Sequence, residues 1–332
     1  MEQVRSLCAS GEFPRHHLWG ADALEQAGDD VQYGFFGQSR RTLHHLSWRL
    51  GDRLGDIEQE AVIWRRARRD DVVYAGEASL LRGLAQLRRA RCAAPLVAVV
   101  HSAGAWISGI DVAVCVSARM RSHLVSTYGR DPAVTPLASW GPDLEFPRYT
   151  ATGEEVIVSA GKTERDVDTL LLALEDLGLP ARVYVDESQT APTARGVEIV
   201  RTRAALGIPL HYPTVLEDLR RASIVAIPLR RSDRLLGLSE INDALALGKP
   251  IVMTRTDAID FDAARVGCGF SVEPYDVTGW REALDCLAGD PALRSEMGKR
   301  GREFAERGYN ANEFGAEIVG AVRTATELTG AG

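Results

Sequence analysis

Two acidic residues, Glu240 and Asp243, lie three positions apart at the start of a predicted helix. This spacing places both carboxylates on one face of the first helical turn. A carboxylate in such a position can accept two hydrogen bonds from the neighbouring hydroxyls of a ribose. Alternatively, the two acids only complement the dipole of the helix. The pattern therefore indicates either a pentose-binding site or a helix start that is stabilised by its own acids.

Two cations, Lys162 and Arg165, lie between a predicted strand at 155–159 and a predicted helix at 166–177. A small residue at the strand end, Gly161, together with two cations and a helix start, provides the parts of a phosphate site. The guanidinium of Arg165 can bind two phosphate oxygens at once, and the ammonium of Lys162 adds a point charge. Alternatively, both cations pair with neighbouring acids at the surface.

The segment at 236–254, LGLSEINDALALGKPIVMT, predicts the helix that carries the two acids, followed by a buried strand at 251–253. Its apolar residues recur every three or four positions, which gives the helix one apolar face. Ser239 is the predicted N-cap, and Gly248 is expected to end the helix in the left-handed conformation. The backbone N–H groups near Leu238 and Ser239 then form a ready site for an anion.

Three histidines follow predicted strands, at the end of a parallel sheet where ligands bind. His101 comes directly after the buried segment at 95–100, and we expect it to contact a bound ligand. His16 and His17 lie in the loop after a predicted first strand at 4–9, and both are candidate residues for binding an acceptor. Each histidine could instead pack or form hydrogen bonds locally, so the sequence leaves both interpretations open.

Strands and helices alternate along the chain, which predicts an α/β fold of parallel sheets with helices on both faces. A stretch at 135–153 contains Pro and Gly but little periodicity, and we interpret it as a hinge between domains. We therefore expect an N-terminal domain at 1–148 and a C-terminal domain at 149–310. The remaining residues, 311–332, are expected to form a helix that can pack back on the N-terminal domain.

Composition excludes several classes of protein. The 332 residues carry a formal net charge of −7, which argues against binding of nucleic acid through bulk charge. The five cysteines include no C-x-x-C pair, so neither a zinc site nor a disulfide framework is indicated. No apolar run is long enough for a transmembrane helix or a signal peptide, which predicts a cytoplasmic protein. An arginine-rich segment at 42–69, with Trp48 and Trp64, leaves peripheral contact with a membrane open.

The order of these segments resembles that of the retaining nucleotide-sugar glycosyltransferases of family 4, most strongly over residues 156–328. These enzymes have two Rossmann-like domains that face each other across a cleft, the arrangement called GT-B, and the resemblance implies this fold. Four segments carry the resemblance: SWGPDLEF at 139–146, SAGKTERDVDTLLLAL at 159–174, GLSEINDALALGKPIVMT at 237–254 and GCGFSVEPYDVTGWREAL at 267–284.

The resemblance also implies roles for particular residues. In the family, a Gly-Arg pair and a later cation hold the diphosphate of the donor, and Gly161, Lys162 and Arg165 stand at these positions. Lys162 replaces the usual arginine. His101 resembles the histidine that the family places close to the donor sugar and the bond that breaks.

Two glutamates of the family, near the donor sugar and on the ribose, are less well matched. The second falls at Asp243, a shorter carboxylate, and Glu240 is a rival for the ribose one helical turn away. Leu235 stands at the position of the first, so the contact to the donor sugar departs from the family pattern. The sequence leaves open which acid binds the ribose.

The resemblance implies transfer of a sugar from a nucleotide-diphosphate donor to an acceptor, with retention of anomeric configuration. The acceptor could be a small molecule, a glycan or a lipid-linked compound. No metal and no other cofactor is expected, because cations and a helix start hold the diphosphate, although Asp260 and Asp262 match an Asp-x-Asp metal motif. Two alternatives are a different nucleotide-sugar enzyme, such as an epimerase or a phosphorylase, and an inactive GT-B partner subunit.

Overall fold

The computed structural model describes residues 2–33, 57–68, 71–87, 94–146, 154–161, 163–187, 189–202 and 212–330. The chain forms two compact units. The first comprises Met1–Ser10, Arg15–Trp140 and Ala311–Gly332, and the second comprises Gly11–Pro14 and Gly141–Asn310. Each unit contains a parallel sheet with helices between its strands, so the predicted α/β class is confirmed.

A three-stranded parallel sheet forms the centre of the first unit. Its strands are β1 (Val73–Ala75), β2 (Leu96–Val100) and β3 (Val112–Cys115), in that spatial order. Every residue of β2 is buried, as in strands whose two faces are both covered. The described helices of this unit are α1 (Glu2–Ala9), α2 (Ala21–Gln26), α3 (Ile57–Arg66), α4 (Arg82–Leu87), α5 (Ala118–Tyr128) and α12 (Ala311–Gly330). Short 3-10 helices lie at Arg15–Leu18, Ala78–Leu81, Ala105–Gly109 and Pro132–Val134.

The last helix, α12, belongs to the first unit although it ends the chain. It packs against α2, β2 and β3, and its residues Phe314 and Ile318 are buried. The ring of Phe314 lies 6.0 Å from that of Trp19, centroid to centroid. The helix predicted for this segment therefore supplies one face of the first unit's core.

A six-stranded parallel sheet forms the centre of the second unit. Its strands are β4 (Ile157–Ser159), β5 (Ala181–Asp186), β6 (Val197–Thr202), β7 (Ile224–Ile227), β8 (Ile251–Thr254) and β9 (Gly269–Val272). The helices are α6 (Val167–Leu177), α7 (Tyr212–Arg221), α8 (Leu238–Leu247), α9 (Ala263–Val266), α10 (Val277–Gly289) and α11 (Pro291–Glu306). Helices α6 and α10 pack together over the sheet around the fully buried Trp280.

The spatial order β6–β5–β4–β7–β8–β9 reverses direction between β4 and β7. In register, Ile157 of β4 lies between Ala181 of β5 and Ile224 of β7. At such a reversal of strand order a crevice forms at the carboxyl end of the sheet, where ligands of open α/β sheets bind. The topology therefore places a candidate ligand site beside residues 160–166 and 228–238.

The predicted strand at 4–9 is wrong, because this segment forms the helix α1. Val4 and the partly buried Leu7 and Cys8 are spaced three and four apart, which suits one face of a helix better than the alternation of a strand. A run of six residues is too short for periodicity to decide between the two. The histidine loop consequently does not follow a strand of the sheet.

Two other predicted elements fall partly outside the described residues. The apolar and aromatic residues at 31–36 predict a strand, but residues 31–33 are irregular and 34–36 lie outside the described residues. Of the basic helix at 42–69, the helix α3 is described, with Trp64 exposed, whereas Trp48 is not among the described residues. None of the described helices has the length and apolarity needed to span a bilayer.

Candidate active site

Backbone hydrogen bonds join the loops that follow β4 and β7. The N–H of Asp166 donates to the carbonyl of Pro228 at 3.0 Å, and the N–H of Arg230 donates to the carbonyl of Glu164 at 3.0 Å. Arg165 and Leu229 form an isolated antiparallel bridge between them. These bonds fix the backbone on both sides of Arg165. Its side chain therefore extends from a rigid segment at the switch point of the sheet.

Arg165 is buried, with 5% of its surface exposed. One terminal nitrogen donates to the carbonyl of Thr163 at 2.7 Å, and the other forms an ion pair with Glu240 on the first turn of α8. The Nε atom finds no hydrogen-bond partner within the described part of the chain. A guanidinium has five N–H donors, so the contacts within the protein leave donors available for an anion.

Gly161 completes this arrangement, because a side chain there would have no room. A Cβ at Gly161 would lie 1.8 Å from Nε of Arg165 and 2.1 Å from Oε1 of Glu240. We call Gly161, Arg165 and Glu240 the Arg165 cluster. The structure thus brings together three of the predicted site residues, from two segments separated by 75 positions. Lys162 lies outside the described residues.

Gly161→Ala is expected to lower the free energy of unfolding by about 1–3 kcal/mol, because the added methyl group would push Arg165 and Glu240 away. Urea unfolding of the purified variant measures this change. Gly289→Ala is the matched control, since a Cβ at that position in α10 meets nothing within 4 Å. Equal free energies for Gly161→Ala and the wild type would show that the cluster is loosely packed.

The neighbouring acid Glu164 does not form an ion pair with Arg165. It pairs with Arg234 at 2.5 Å, and hydrogen bonds from Ser232 and Arg234 lower the pKa of its carboxyl group. Its backbone φ of 50° lies in the left-handed region, which is uncommon for a residue with a side chain. Glu164 therefore pairs with Arg234, whereas Arg165, beside the crevice, pairs with Glu240.

Helix α8 begins two residues earlier than its predicted N-cap implies. Gly237 occupies the cap position with φ 83°, and Ser239 is already the second residue of the helix, so the predicted Ser239 cap is wrong. Glycine adopts this left-handed conformation without a steric penalty. Since Gly237 has no side chain to bind the first N–H groups of the helix, those near Leu238 and Ser239 can serve an anion as predicted. Gly248 ends the helix at φ 64°, which confirms the predicted C-terminus.

The second predicted acid, Asp243, is buried one turn further along α8, with 4% of its surface exposed. It accepts a hydrogen bond of 2.6 Å from the hydroxyl of Tyr212 on α7. Burial raises the pKa of Asp243 to about 7; the hydrogen bond from Tyr212 opposes this shift, and the nearby charge of Glu240 adds a smaller increase. Both candidates for binding the ribose thus have partners inside the protein.

In the first unit, His101 follows β2 as predicted. Its ring meets the edge of Trp19, with 4.8 Å between the centroids. Burial lowers the pKa of its imidazole, and the charge of Glu77 opposes this shift. Among the described residues, Nδ1 has no hydrogen-bond partner. His101 is therefore a largely neutral imidazole at neutral pH, at the carboxyl end of a buried strand.

His16 and His17 lie on the 3-10 helix Arg15–Leu18, and His16 has 3% of its surface exposed. Burial lowers the pKa of His17 to about 4 and that of His16 well below its ordinary value. The indole nitrogen of Trp140 donates to the carbonyl of His16 at 2.9 Å, and Trp140 stacks on Trp19 at 4.2 Å. The structure therefore joins the three predicted histidines through two tryptophans, and we call these five residues the aromatic cluster.

Three members of these sites could not be found from the sequence pattern: Trp19, Trp140 and Tyr212. The two tryptophans lie in loops with Gly and Pro, outside any apolar stripe of a helix or strand. A large aromatic residue in such a loop is the sequence feature that could indicate a site. Trp19 has φ 55°, and its carbonyl accepts a hydrogen bond from Tyr74, so its backbone is held in a conformation that only surrounding contacts can maintain.

The Asp-x-Asp segment has a structural role in the second unit. Asp262 caps the helix α9 by accepting from the N–H of Arg265 at 2.8 Å, and it also accepts from Ser271 at 3.0 Å. Within the described ranges, no group of three or more His, Cys, Asp or Glu side chains is arranged to hold a metal ion.

Sequence comparison relates the chain to one class of enzyme. No protein-family model matches it. It is similar to the D-inositol 3-phosphate glycosyltransferase of Gordonia bronchialis, at 27% identity over 218 residues. The matched region is 56% of this chain and 46% of that protein, so it spans less than half of the relative's length.

Structural comparison covers nearly the whole chain. A sucrose-phosphate synthase from Thermosynechococcus elongatus superposes with a TM-score of 0.66 at 15% identity, over 94% of this chain and 92% of that one. A trehalose-6-phosphate protein from E. coli, bound with UDP-2-fluoro-glucose, gives 0.60 at 13% identity, over 92% and 82%. The chain therefore has the predicted GT-B fold of two Rossmann-like domains.

Proposed function

We propose that this protein transfers a sugar from a nucleotide-diphosphate donor to an acceptor, with retention of anomeric configuration. The observation that supports this function best is the Arg165 cluster at the start of α8, beside the switch point of the sheet. A buried guanidinium with unused donors and a helix start without a side-chain cap are suited to a diphosphate. The donor itself is the substrate, and no cofactor is needed for this chemistry.

The proposed mechanism depends on the stabilisation of the leaving group. Negative charge increases on the diphosphate as the glycosidic bond breaks, and fixed donors in a buried site stabilise that charge in the transition state. Arg165, Lys162 and the N–H groups near Leu238 and Ser239 are the proposed donors. Arg165 needs little reorganisation, because the backbone on both sides of it is already fixed.

The retaining outcome is proposed to arise by attack of the acceptor on the same face from which the diphosphate leaves. His101 is proposed to orient the donor sugar through its neutral imidazole. The burial of His16 and His17 supports an indirect contribution to acceptor binding, in which they shape the site through Trp19 and Trp140. The acceptor remains open between a small molecule, a glycan and a lipid-linked compound.

A thermal-shift screen against UDP, GDP, ADP, dTDP and CDP tests the proposed donor class. The nucleotide of the true donor should raise the melting temperature, since a ligand at 100 times its Kd stabilises the folded state by about 2.7 kcal/mol. The corresponding sugar nucleotide should then release its nucleoside diphosphate in the presence of an acceptor. Conversion to a second sugar nucleotide without acceptor would instead indicate an epimerase, and dependence on free phosphate a phosphorylase.

If none of the five nucleotides raises the melting temperature, the proposed function is wrong and an inactive partner subunit becomes the better interpretation. NMR of the product separates the stereochemical outcomes, because an inverted anomer would reject the retaining mechanism.

A further inference from the structure

Two buried carboxylates share one buried cation in the second unit. The chain of contacts runs from Tyr212 to Asp243, and from Glu240 of the same helix to Arg165. Glu240 and Asp243 are close enough for their charges to interact. Both are buried, with 9% and 4% of their surfaces exposed, so water screens that repulsion poorly.

Within the described part of the chain, the helices and the strand that pack on α8 pair no cation with Asp243. Helix α7 contributes the hydroxyl of Tyr212, and the ring of Tyr212 is held 4.6 Å from that of Phe13. Helix α11 contributes Arg302, which donates to the carbonyl of Ala246 at 2.8 Å and pairs with Glu306. Of the described residues, Arg165 is therefore the cation that balances this carboxylate pair.

Two more cations lie near the C-terminal end of α8, Lys249 after the helix and Arg220 of α7, and Arg220 pairs with Glu217. Burial and the charge of Arg220 on α7 lower the pKa of Lys249. Strand β7, the remaining element against α8, is apolar throughout, with the sequence IVAI. Counted over the described residues, the carboxylate pair therefore carries one negative charge in excess whenever both of its members are ionised.

A bound diphosphate would add negative charge beside the same guanidinium. It would compete with Glu240 for the donors of Arg165 and would raise the repulsion on both carboxylates. One proton on the pair removes the excess charge. Asp243 is ready to accept it, since its pKa of about 7 already leaves it partly protonated at neutral pH.

We propose that binding of the donor diphosphate beside Arg165 is coupled to uptake of one proton from the solvent by the Glu240–Asp243 pair. This inference rests on the proposed function and specifies how that site is regulated. Donor affinity should consequently fall as the pH rises above 7, by up to about tenfold per pH unit. The protonated pair leaves Arg165 free to direct its donors to the diphosphate.

Isothermal titration calorimetry tests the coupling directly. UDP-glucose, GDP-mannose and ADP-glucose are titrated into the protein at pH 7.5 in phosphate and in Tris, whose ionisation enthalpies differ. Sugar nucleotides lack the terminal phosphate that ionises near pH 6, so the probe does not itself take up the proton. We expect the binding heat to depend on the buffer and to indicate an uptake of about half a proton or more.

Variants of this network locate the proton. Asp243→Asn should abolish the dependence on buffer and on pH. Tyr212→Phe removes the hydrogen bond that favours the ionised carboxylate, so uptake should persist to higher pH. Tyr184→Phe is the matched control, because Tyr184 donates to the buried Asp218 in the same unit, away from the switch point.

The outcomes separate the two proposals. If none of the three sugar nucleotides binds, the proposed function is wrong and the coupling is lost with it. Binding with a heat independent of buffer would overturn the coupling while leaving the proposed function intact. A buffer dependence that survives in Asp243→Asn would also overturn it, and so would one that disappears in Tyr184→Phe.

Discussion

Arg165→Ala is expected to reduce turnover by about two to three orders of magnitude, as the loss of one fixed donor to a developing oxyanion does. The side chain is held by Thr163 and Glu240 on one side and by the absence of a side chain at Gly161 on the other. Its removal would therefore take away a donor that needs no reorganisation during the reaction. The measurement is the initial rate of nucleoside diphosphate release from the sugar nucleotide that the protein binds.

The same variant leaves Glu240 as a buried charge without its partner, which by itself destabilises a protein by about 3–5 kcal/mol. The double variant Arg165→Ala, Glu240→Gln removes that charge and should recover much of the lost stability. Turnover should remain low in the double variant, because the donor is still missing. Recovery of turnover together with stability would show that Arg165 acts only through folding.

Arg294→Ala is the matched control for the loss of a buried arginine. Arg294 forms two bonds of 2.7 Å with Glu155, which precedes β4, whereas Arg165 follows that strand. The two ion pairs thus lie at opposite ends of one strand in the same unit. Arg294→Ala should lower stability and leave turnover per folded molecule near that of the wild type. Turnover at the wild-type level in Arg165→Ala would remove Arg165 from its proposed role.

Much of this fold follows from short-range sequence patterns. The uninterrupted apolar segments at 95–100 and 251–253 form strands that are covered on both faces. Such strands can be predicted from a continuous apolar sequence, without the alternation of apolar and polar residues. Serine favours the N-cap position by residue type, and the hydroxyl of Ser117 caps α5 by accepting from the N–H of Met120. Gly248 ends α8 because glycine is the residue that adopts the left-handed conformation at no cost.

The failures occurred where tertiary contacts decide between local alternatives. Residues 4–9 form a helix because one of their faces packs in the first unit, which a six-residue pattern does not disclose. Ser239 suits an N-cap by residue type, yet Gly237 takes that position through its backbone. Propensity is a weak guide whenever two neighbouring residues can both begin the helix.

The residues of the candidate site can be predicted from the sequence, but the contacts between them cannot. Lys162, Arg165 and the start of α8 were recognised as pieces of a phosphate site. However, the pairing of Arg165 with Glu240 spans 75 positions and exists because β4 and β7 are neighbours in the sheet. The hydrogen bond from Tyr212 to Asp243 likewise depends on how α7 packs against α8. Residue types therefore indicate the chemistry of a site, whereas the topology of the fold determines which residues contact each other.

Asp243→Asn is expected to remove a contribution of Asp243 to stability that decreases as the pH rises. Most carboxyl groups in folded proteins make a contribution that increases with pH, because folding lowers their pKa. The folded state raises the pKa of Asp243 from its ordinary value of 3.8 to about 7. The stabilisation is therefore fully present below about pH 4 and is lost as the pH rises to about 7, because the unfolded chain releases this proton first. At 1.36 kcal/mol per pKa unit, the loss amounts to about 4 kcal/mol.

Urea unfolding of the wild type and of Asp243→Asn at pH 5 and pH 7.5 measures this effect as a difference between two proteins. Other groups titrate equally in both, so their contributions cancel. The advantage of the asparagine variant should widen by about 2 kcal/mol between the two pH values. Tyr212→Phe loses the bond that opposes the shift, so its stability should continue to fall above pH 7. An advantage that stays constant with pH would mean that Asp243 is ionised throughout, and the excess charge beside Arg165 would then need another explanation.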